Sequence, residues 1–199
     1  MMETLEAPRQ KRPGGRTAEV TRRINDALLQ LLTEGGIEAC TFQNIASRAG
    51  IERSTLYRRS PDRWPIIMDA IIELAERETA RFDSGSFRDD LMATLRNLSK
   101  VLNGPMGPAL IQVAGALQSG VAPGQGERFW KSRQRQLPPM FEAATGRGEL
   151  PADVNRDELF AMAAGPIYFR KFIASQPLTE DWVRNVVDQV CDRYCIQSR

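Results

Sequence analysis

Apolar side chains recur at helical spacing along most of this chain. In the first stretch Val20, Ile24, Ala27, Leu28, Leu31 and Leu32 fall three and four residues apart, which puts them on one face of a helix. Gly35-Gly36 ends that helix, because glycine readily takes the left-handed conformation of a helix terminus. Ile45 and Ala46 mark the inner face of a short second helix, about Phe42 to Ala49, with Thr41 placed as its N-cap. Gly50 supplies a turn and Ile51 returns the chain to the core. A third helix covers roughly Arg53 to Arg59. Ser60-Pro61-Asp62 stops it, and Pro61 suits the first position of the next helix.

The pattern then predicts helices over 62–82, 86–103, 106–119 and 127–146. Two more open at Asn155, with Glu158 completing a capping box, and at Thr179. Pro138-Pro139 is expected to kink or split the 127–146 helix, and Gly165-Pro166 to interrupt the one after Asn155. No strand-like alternation persists, so the expected fold is all-α with about nine helices. Residues 1–15 carry prolines and glycines without an apolar period and read as a flexible arm. Residues 16–62 form a first domain and 63–199 a second.

Composition narrows the chemistry. The 199 residues include no histidine and only three cysteines, Cys40, Cys191 and Cys195. This removes histidine-based zinc sites and histidine-dependent nucleophilic catalysis. No carboxylate cluster has metal-ligand spacing, so neither a metal nor a cofactor is expected. Cys191 and Cys195 share a helix face and read as small core or interface residues. No apolar run approaches a membrane span, and the start lacks a secretory signal. The expected location is therefore the cytoplasm, with no membrane partner. The net charge of +2 is unevenly placed: residues 1–65 carry 11 Lys+Arg against 8 Asp+Glu. That excess hints at nucleic acid, although a solvated helix face gives the same sign.

The informative stretch is TFQNIASRAGIERSTLYRR, residues 41–59. It reads as helix, glycine turn, helix, so that the second helix protrudes while the first braces it. A helix of this size fits a DNA major groove. Its outward positions, Glu52, Arg53, Ser54, Thr55, Tyr57, Arg58 and Arg59, carry the cationic and hydrogen-bonding groups that suit phosphates and base edges.

This stretch resembles the TetR family of bacterial regulators. The likeness runs from Arg16 to about Ala70 and rests on the I-A-x-x-A-G-I turn and the T-L-Y-R after it. GRGELPADVN, residues 146–155, is similar to one common type of TetR C-terminal domain. The resemblance implies an all-α homodimer with an N-terminal three-helix DNA-binding domain, its helix-turn-helix at about 41–60. It implies a repressor released from a palindromic operator by a small-molecule effector held in the C-terminal domain. Carried over by position, it makes Thr41, Tyr57 and Arg63 phosphate contacts. Arg53, Ser54, Thr55 and Arg58 lie on the face toward bases or adjacent phosphates, and Arg16 on an arm that can reach a minor groove. Leu56 and Ile51 match core positions. Glu52 departs from the usual Ser cap. Ser60 replaces a bulky aromatic, whose space Trp64 is placed to fill.

In the C-terminal half, Met92, Met106, Phe129, Phe141, Met162 and Tyr168 are candidates to line a ligand cavity; the same spacing also suits plain core. Lys131, Arg133 and Arg135 read as the solvated side of a helix. Arg9, Lys11 and Arg12 read as a disordered tail. Phe160, Ala164 and Ile167 share one side of the penultimate helix, and Val183, Val186, Val187, Val190 and Tyr194 one side of the last. Two such helices from each subunit make a four-helix dimer interface, the alternative being packing inside one subunit. Two other functions compete with the regulator: an enzyme on a helical bundle, and an adaptor that keeps the helix-turn-helix only for structure.

Overall fold

The computed structural model describes residues 14–78 and 84–196, and these form ten α-helices and no strand. The first, α1 (Gly14–Ala39), is helical until Gly36, whose φ of 64° breaks the helical geometry before a final turn. Helices α2 (Phe42–Ala49), α3 (Arg53–Tyr57) and α4 (Arg63–Glu78) follow. Then come α5 (Phe87–Asn103) and α6 (Gly107–Gln118). The 127–146 segment is split where the paired prolines fall, into α7 (Gln125–Gln136) and α8 (Pro138–Gly146). With that split the described residues hold ten α-helices, in line with the about nine expected.

The penultimate helix departs from expectation. Gly165-Pro166 does not interrupt it. α9 spans Arg156–Tyr168 with Pro166 inside, and continues as a π-helical turn over Phe169–Ile173. A proline removes one N–H from the ladder, and the widened turn three residues later lets the chain carry on. α10 spans Glu180–Tyr194. The caps read from sequence are present: Thr41, Asn155 and Thr179 accept backbone N–H bonds from Asn44, Glu158 and Trp182. Glu52 makes no side-chain cap to α3.

Two apolar cores hold the helices. The first joins α1, α2 and Leu56 of α3 to Trp64, Ile66, Ile67 and Ile71 of α4, and to Ala109 and Val113 of α6. It therefore runs past residue 62, and α4 and α6 belong to it as much as the helix-turn-helix does. Ser60 is buried beside Asp62, and Trp64 is buried in this core. The second core joins α5, α8, α9 and α10.

The second core corrects the expected dimer face. Phe160, Ala164, Ile167, Val183, Val186, Val187 and Val190 are all buried within the single chain. Tyr194 is half-buried, its hydroxyl donating to Glu158 at 3.0 Å. The apolar sides of α9 and α10 face each other and α5, because the layer must cover its own helices before it can offer a face to a partner. The outward side of α9 carries different residues: Met162 (50% exposed), Gly165, Phe169 (62%) and Ile173 (71%).

Candidate nucleic-acid interface

The turn between α2 and α3 is built from three interlocking contacts. Gly50 takes the left-handed conformation, φ 61° and ψ 46°. The N–H of Ile51 donates to Ala46 O at 3.0 Å and that of Gly50 to Ser47 O at 3.2 Å, a Schellman closure that satisfies the last carbonyls of α2. Arg23 of α1 then donates to the carbonyls of Ala49 and Gly50. A cation is well placed there, at the negative end of α2. A Cβ on Gly50 would meet the Arg23 guanidinium at 2.6 Å.

That closure fixes the direction of α3. Leu56 is buried beneath it, while Arg53, Ser54, Tyr57 and Arg58 are exposed and Thr55 is half-buried. Tyr57 stands edge-on to Phe42 of α2, ring centroids 4.6 Å apart. Arg53 folds over Tyr57, Nη2 donating to Oη at 3.2 Å with the guanidinium 5.8 Å from the ring centroid. Thr41 is exposed at the start of α2, its hydroxyl oxygen accepting from Asn44 N–H. Its O–H can still donate to a phosphate.

Charge marks this surface. Arg22, Arg48, Arg77, Arg88, Arg96 and Arg128 each pair with a carboxylate. Among the described residues no carboxylate pairs with Arg53, Arg58 or Arg59; their bonds go to hydroxyls, those of Tyr57, Thr55 and Thr21. Three unneutralised guanidiniums within seven residues form a cationic ridge suited to a polyanion.

Arg63 stands apart from the ridge. It is half-buried, its Nη1 3.5 Å from the carbonyl of Ile37 and its guanidinium 5.8 Å from the Trp64 ring centroid. It braces the corner between α1 and α2. The side chain of Arg16 and the cations Arg9, Lys11 and Arg12 lie outside the described residues.

Behind this surface the helices enclose a cavity of about 400 Å³, within the usual range for small-molecule sites. Ile71 and Leu74 of α4, Leu98 and Val101 of α5, and Val113 and Leu117 of α6 form an aliphatic side. Phe129 and Trp130 of α7, Phe160 and Tyr168 of α9, and Phe172 of the π turn form an aromatic side. Of the six expected lining residues only Phe129 and Tyr168 reach it. Met92 and Phe141 are packed in the second core, where Phe141 lies 5.9 Å from the Phe87 ring. Met106 packs on the first core, and Met162 points outward from α9.

Sequence reasoning missed Arg133. It is not on a solvated side; it is half-buried and lines the cavity, donating to Ala75 O at 3.3 Å and Gln136 Oε1 at 2.9 Å. Burial pushes its guanidinium below its ordinary pKa, opposed by the nearby Tyr168 and Glu76. A signal was available: Phe129, Trp130 and Arg133 fall on one face of α7 by their spacing.

Comparison with known proteins decides the family. Residues 24–61 match the description "Bacterial regulatory proteins, tetR family", and residues 82–190 match "Tetracyclin repressor-like, C-terminal domain". The chain belongs to the TetR family of transcriptional regulators. It is 27% identical over 179 residues to the HTH-type transcriptional regulator YdeS of Bacillus subtilis, covering 89% of this chain and 90% of the relative. It is 28% identical over 170 residues to the DNA-binding transcriptional repressor TetR of Mycobacteroides abscessus, covering 81% and 86%. The solved structure of the TetR family transcription regulator SCO0332 superposes with a TM-score of 0.75 at 26% identity, covering 88% of this chain and 96% of that one. As a TetR-family regulator the protein carries its DNA-binding helix-turn-helix at α2–α3 and a helical C-terminal domain behind it. No helix among the described residues is long and apolar enough to cross a membrane.

Proposed function

We propose that the protein is a cytoplasmic homodimeric repressor that grips a palindromic operator and lets go when a small molecule enters the cavity. The observation that carries this reading is the cationic ridge of α3, left unneutralised on a chain whose other arginines are largely paired. Arg53, Ser54, Thr55 and Arg58 meet base edges and adjacent phosphates; Thr41 and Tyr57 hold the backbone. Arg16 reaches a minor groove. Arg63 contributes to phosphate binding with the N–H groups its brace to Ile37 leaves over. Likeness to the Mycobacteroides abscessus repressor supports the negative sign of regulation.

A second copy supplies the second recognition helix. Its seat is the outward stripe of α9, Met162, Gly165, Phe169 and Ile173. Large apolar side chains in one exposed row mark an interaction surface, and Gly165 lets two helices approach closely. Binding to two successive half-sites of a duplex asks that the two copies of α3 lie about 34–36 Å apart.

The cavity walls supply a route to the DNA surface. Val113 and Leu117 of α6 line the cavity. From the same helix Gln112 accepts the N–H of Ile37 at 2.9 Å. A ligand that moves α6 therefore pulls on the α1–α2 corner, the corner that Arg63 also holds. Only a ligand with unequal affinity for the two arrangements shifts them.

Selection of bound duplexes from a random pool by the purified protein tests this reading. A symmetric site with two half-sites one helical turn apart is expected, and release from it by extracts of small molecules. Enrichment of nothing, or of a single asymmetric half-site, would overturn it.

A further inference from the structure

The cavity is walled mainly by hydrocarbon, and several of the polar side chains that reach it are already in use. Thr94 of α5 lines it, but its hydroxyl donates to the carbonyl of Asp90 at 2.8 Å. Arg133 of α7 donates to Ala75 O and Gln136 Oε1, and the nearby Glu76 favours its charged form. Asn97 of α5 likewise has a partner. A ligand therefore meets this cavity chiefly as an apolar container.

Tyr168 of α9 differs from these. It lines the aromatic side, and its hydroxyl makes no hydrogen bond among the described residues. Burial raises its pKa more than the nearby Arg133 lowers it, so the phenol keeps its proton and can donate. A hydroxyl held out of water without an acceptor costs free energy, and an acceptor carried in by a ligand recovers it. The Tyr168 ring lies 5.7 Å from that of Phe172 at 45°, and Trp130 and Phe160 form a second pair 6.1 Å apart at 34°. Rings so arranged favour offset or edge-on contact with a further aromatic ring.

Charge narrows the choice. Among the described residues lining the cavity none is a carboxylate, so a cationic ligand would meet Arg133 and no counter-charge. An anion would give up its hydration to pass between apolar walls, at a large cost, and would compete for Arg133 with the groups that already hold it. We propose that the effector is an uncharged, largely apolar ring compound bearing a carbonyl-type acceptor, which takes the hydrogen bond of the Tyr168 hydroxyl. Its rings lie between the aromatic side and the aliphatic side formed by α4, α5 and α6. This rests on the reading of the cavity as the effector site.

The test uses the full-length protein without DNA and three probes on one ring system: 2-acetonaphthone, 2-ethylnaphthalene and 2-naphthoate. Equilibrium dialysis measures binding, and the rise in melting temperature that a bound ligand produces checks it. The ketone is expected to bind about three- to ten-fold more tightly than the hydrocarbon, the worth of one neutral hydrogen bond, with the acid weakest. Tyr168→Phe keeps the ring and removes the donor, so the ketone should fall to the level of the hydrocarbon while the hydrocarbon binds as before. The wild-type ranking stands by itself should that variant fail to fold. Tightest binding by the acid would make the cavity an anion site. Equal binding of ketone and hydrocarbon, or an advantage that persists in Tyr168→Phe, would remove Tyr168 as the donor, and no binding by any probe would remove the ligand class. Each of these results overturns the proposal. None depends on the operator, so a failed duplex selection and a failed probe ranking are separable.

Discussion

Replacing Phe169 with Asp should separate the two subunits and leave each one folded. Phe169 is 62% exposed in the single chain. An aromatic side chain buries about 200 Å², so a partner would cover about 120 Å² of it in each copy. At about 25 cal/mol per Å² that is worth about 3 kcal/mol per copy. Association realises only part of such a sum, because ordering and lost rotation are subtracted. If one third survives across two copies, about 2 kcal/mol, the dimer dissociation constant rises about thirty-fold, before counting the carboxylate brought into the interface. Val187→Asp is the contrast. Val187 is 0% exposed, so a charge there enters the core of one subunit, and a cost of several kcal/mol competes with a total stability of about 5–15. Sedimentation velocity across a concentration series reads the first effect, and circular dichroism with thermal melting the second. Phe169→Asp should run as a folded monomer, Val187→Asp as an unfolded chain. A Phe169→Asp protein with unchanged self-association would refute the stripe as the seat of the partner. A folded, monomeric Val187→Asp would restore the buried valines to that role.

Four further outcomes are expected. Arg53→Ala should cost about 1–3 kcal/mol on the preferred operator and relax one base position; duplex selection with wild type and variant shows whether preference changes or only strength. Gly50→Ala should lower stability by about 1–2 kcal/mol, since an L side chain is strained at that φ and would displace Arg23; denaturant melts measure it. Gln112→Ala leaves the Ile37 N–H without its acceptor and should cost about 1–3 kcal/mol; operator release, followed by gel shift, should be weaker at the same cavity occupancy. Cys40, buried and with its thiol pushed up to about 11 by that burial, should resist iodoacetamide at pH 8 until the protein unfolds. Cys195, its pKa lowered by the hydrogen bond with Cys191, should react first, and peptide mapping distinguishes them.

The helix-turn-helix was legible because its signals are local. Thr41 and Gly50 act within four residues of themselves, as a cap and a left-handed turn, and Leu56 stands out as the sole aliphatic residue of α3. One-dimensional spacing is sufficient to read them. The second half was legible as helices and misread as surfaces. An apolar stripe on α10 states that Val183, Val187 and Val190 will be covered; it does not state by what. Here α5 and α9 of the same chain cover them. The outward stripe of α9 was hidden because its four residues include a glycine and pass through the Gly165-Pro166 pair, which reads as a helix end. The π turn is what carries the stripe on to Phe169 and Ile173, and the apolar periodicity does not announce it.

The same limit explains Arg133. A cation in a run of polar residues, K-S-R-Q-R-Q, is solvated by default. Long charged side chains usually extend their heads to water. Arg133 cannot do so, because α7 lays Phe129 and Trp130 against the cavity and places Arg133 one turn on from them. Lys131 and Arg135, two positions to either side, remain exposed as expected. One helix thus divides its cations between solvent and interior by a rotation of about 200° over two residues. The half-buried guanidinium of Arg133 is held by the carbonyl of Ala75 and the side-chain amide of Gln136. The same cavity is lined by Val113 and Leu117 of α6, and Gln112 of that helix accepts the N–H of Ile37 beside the helix-turn-helix.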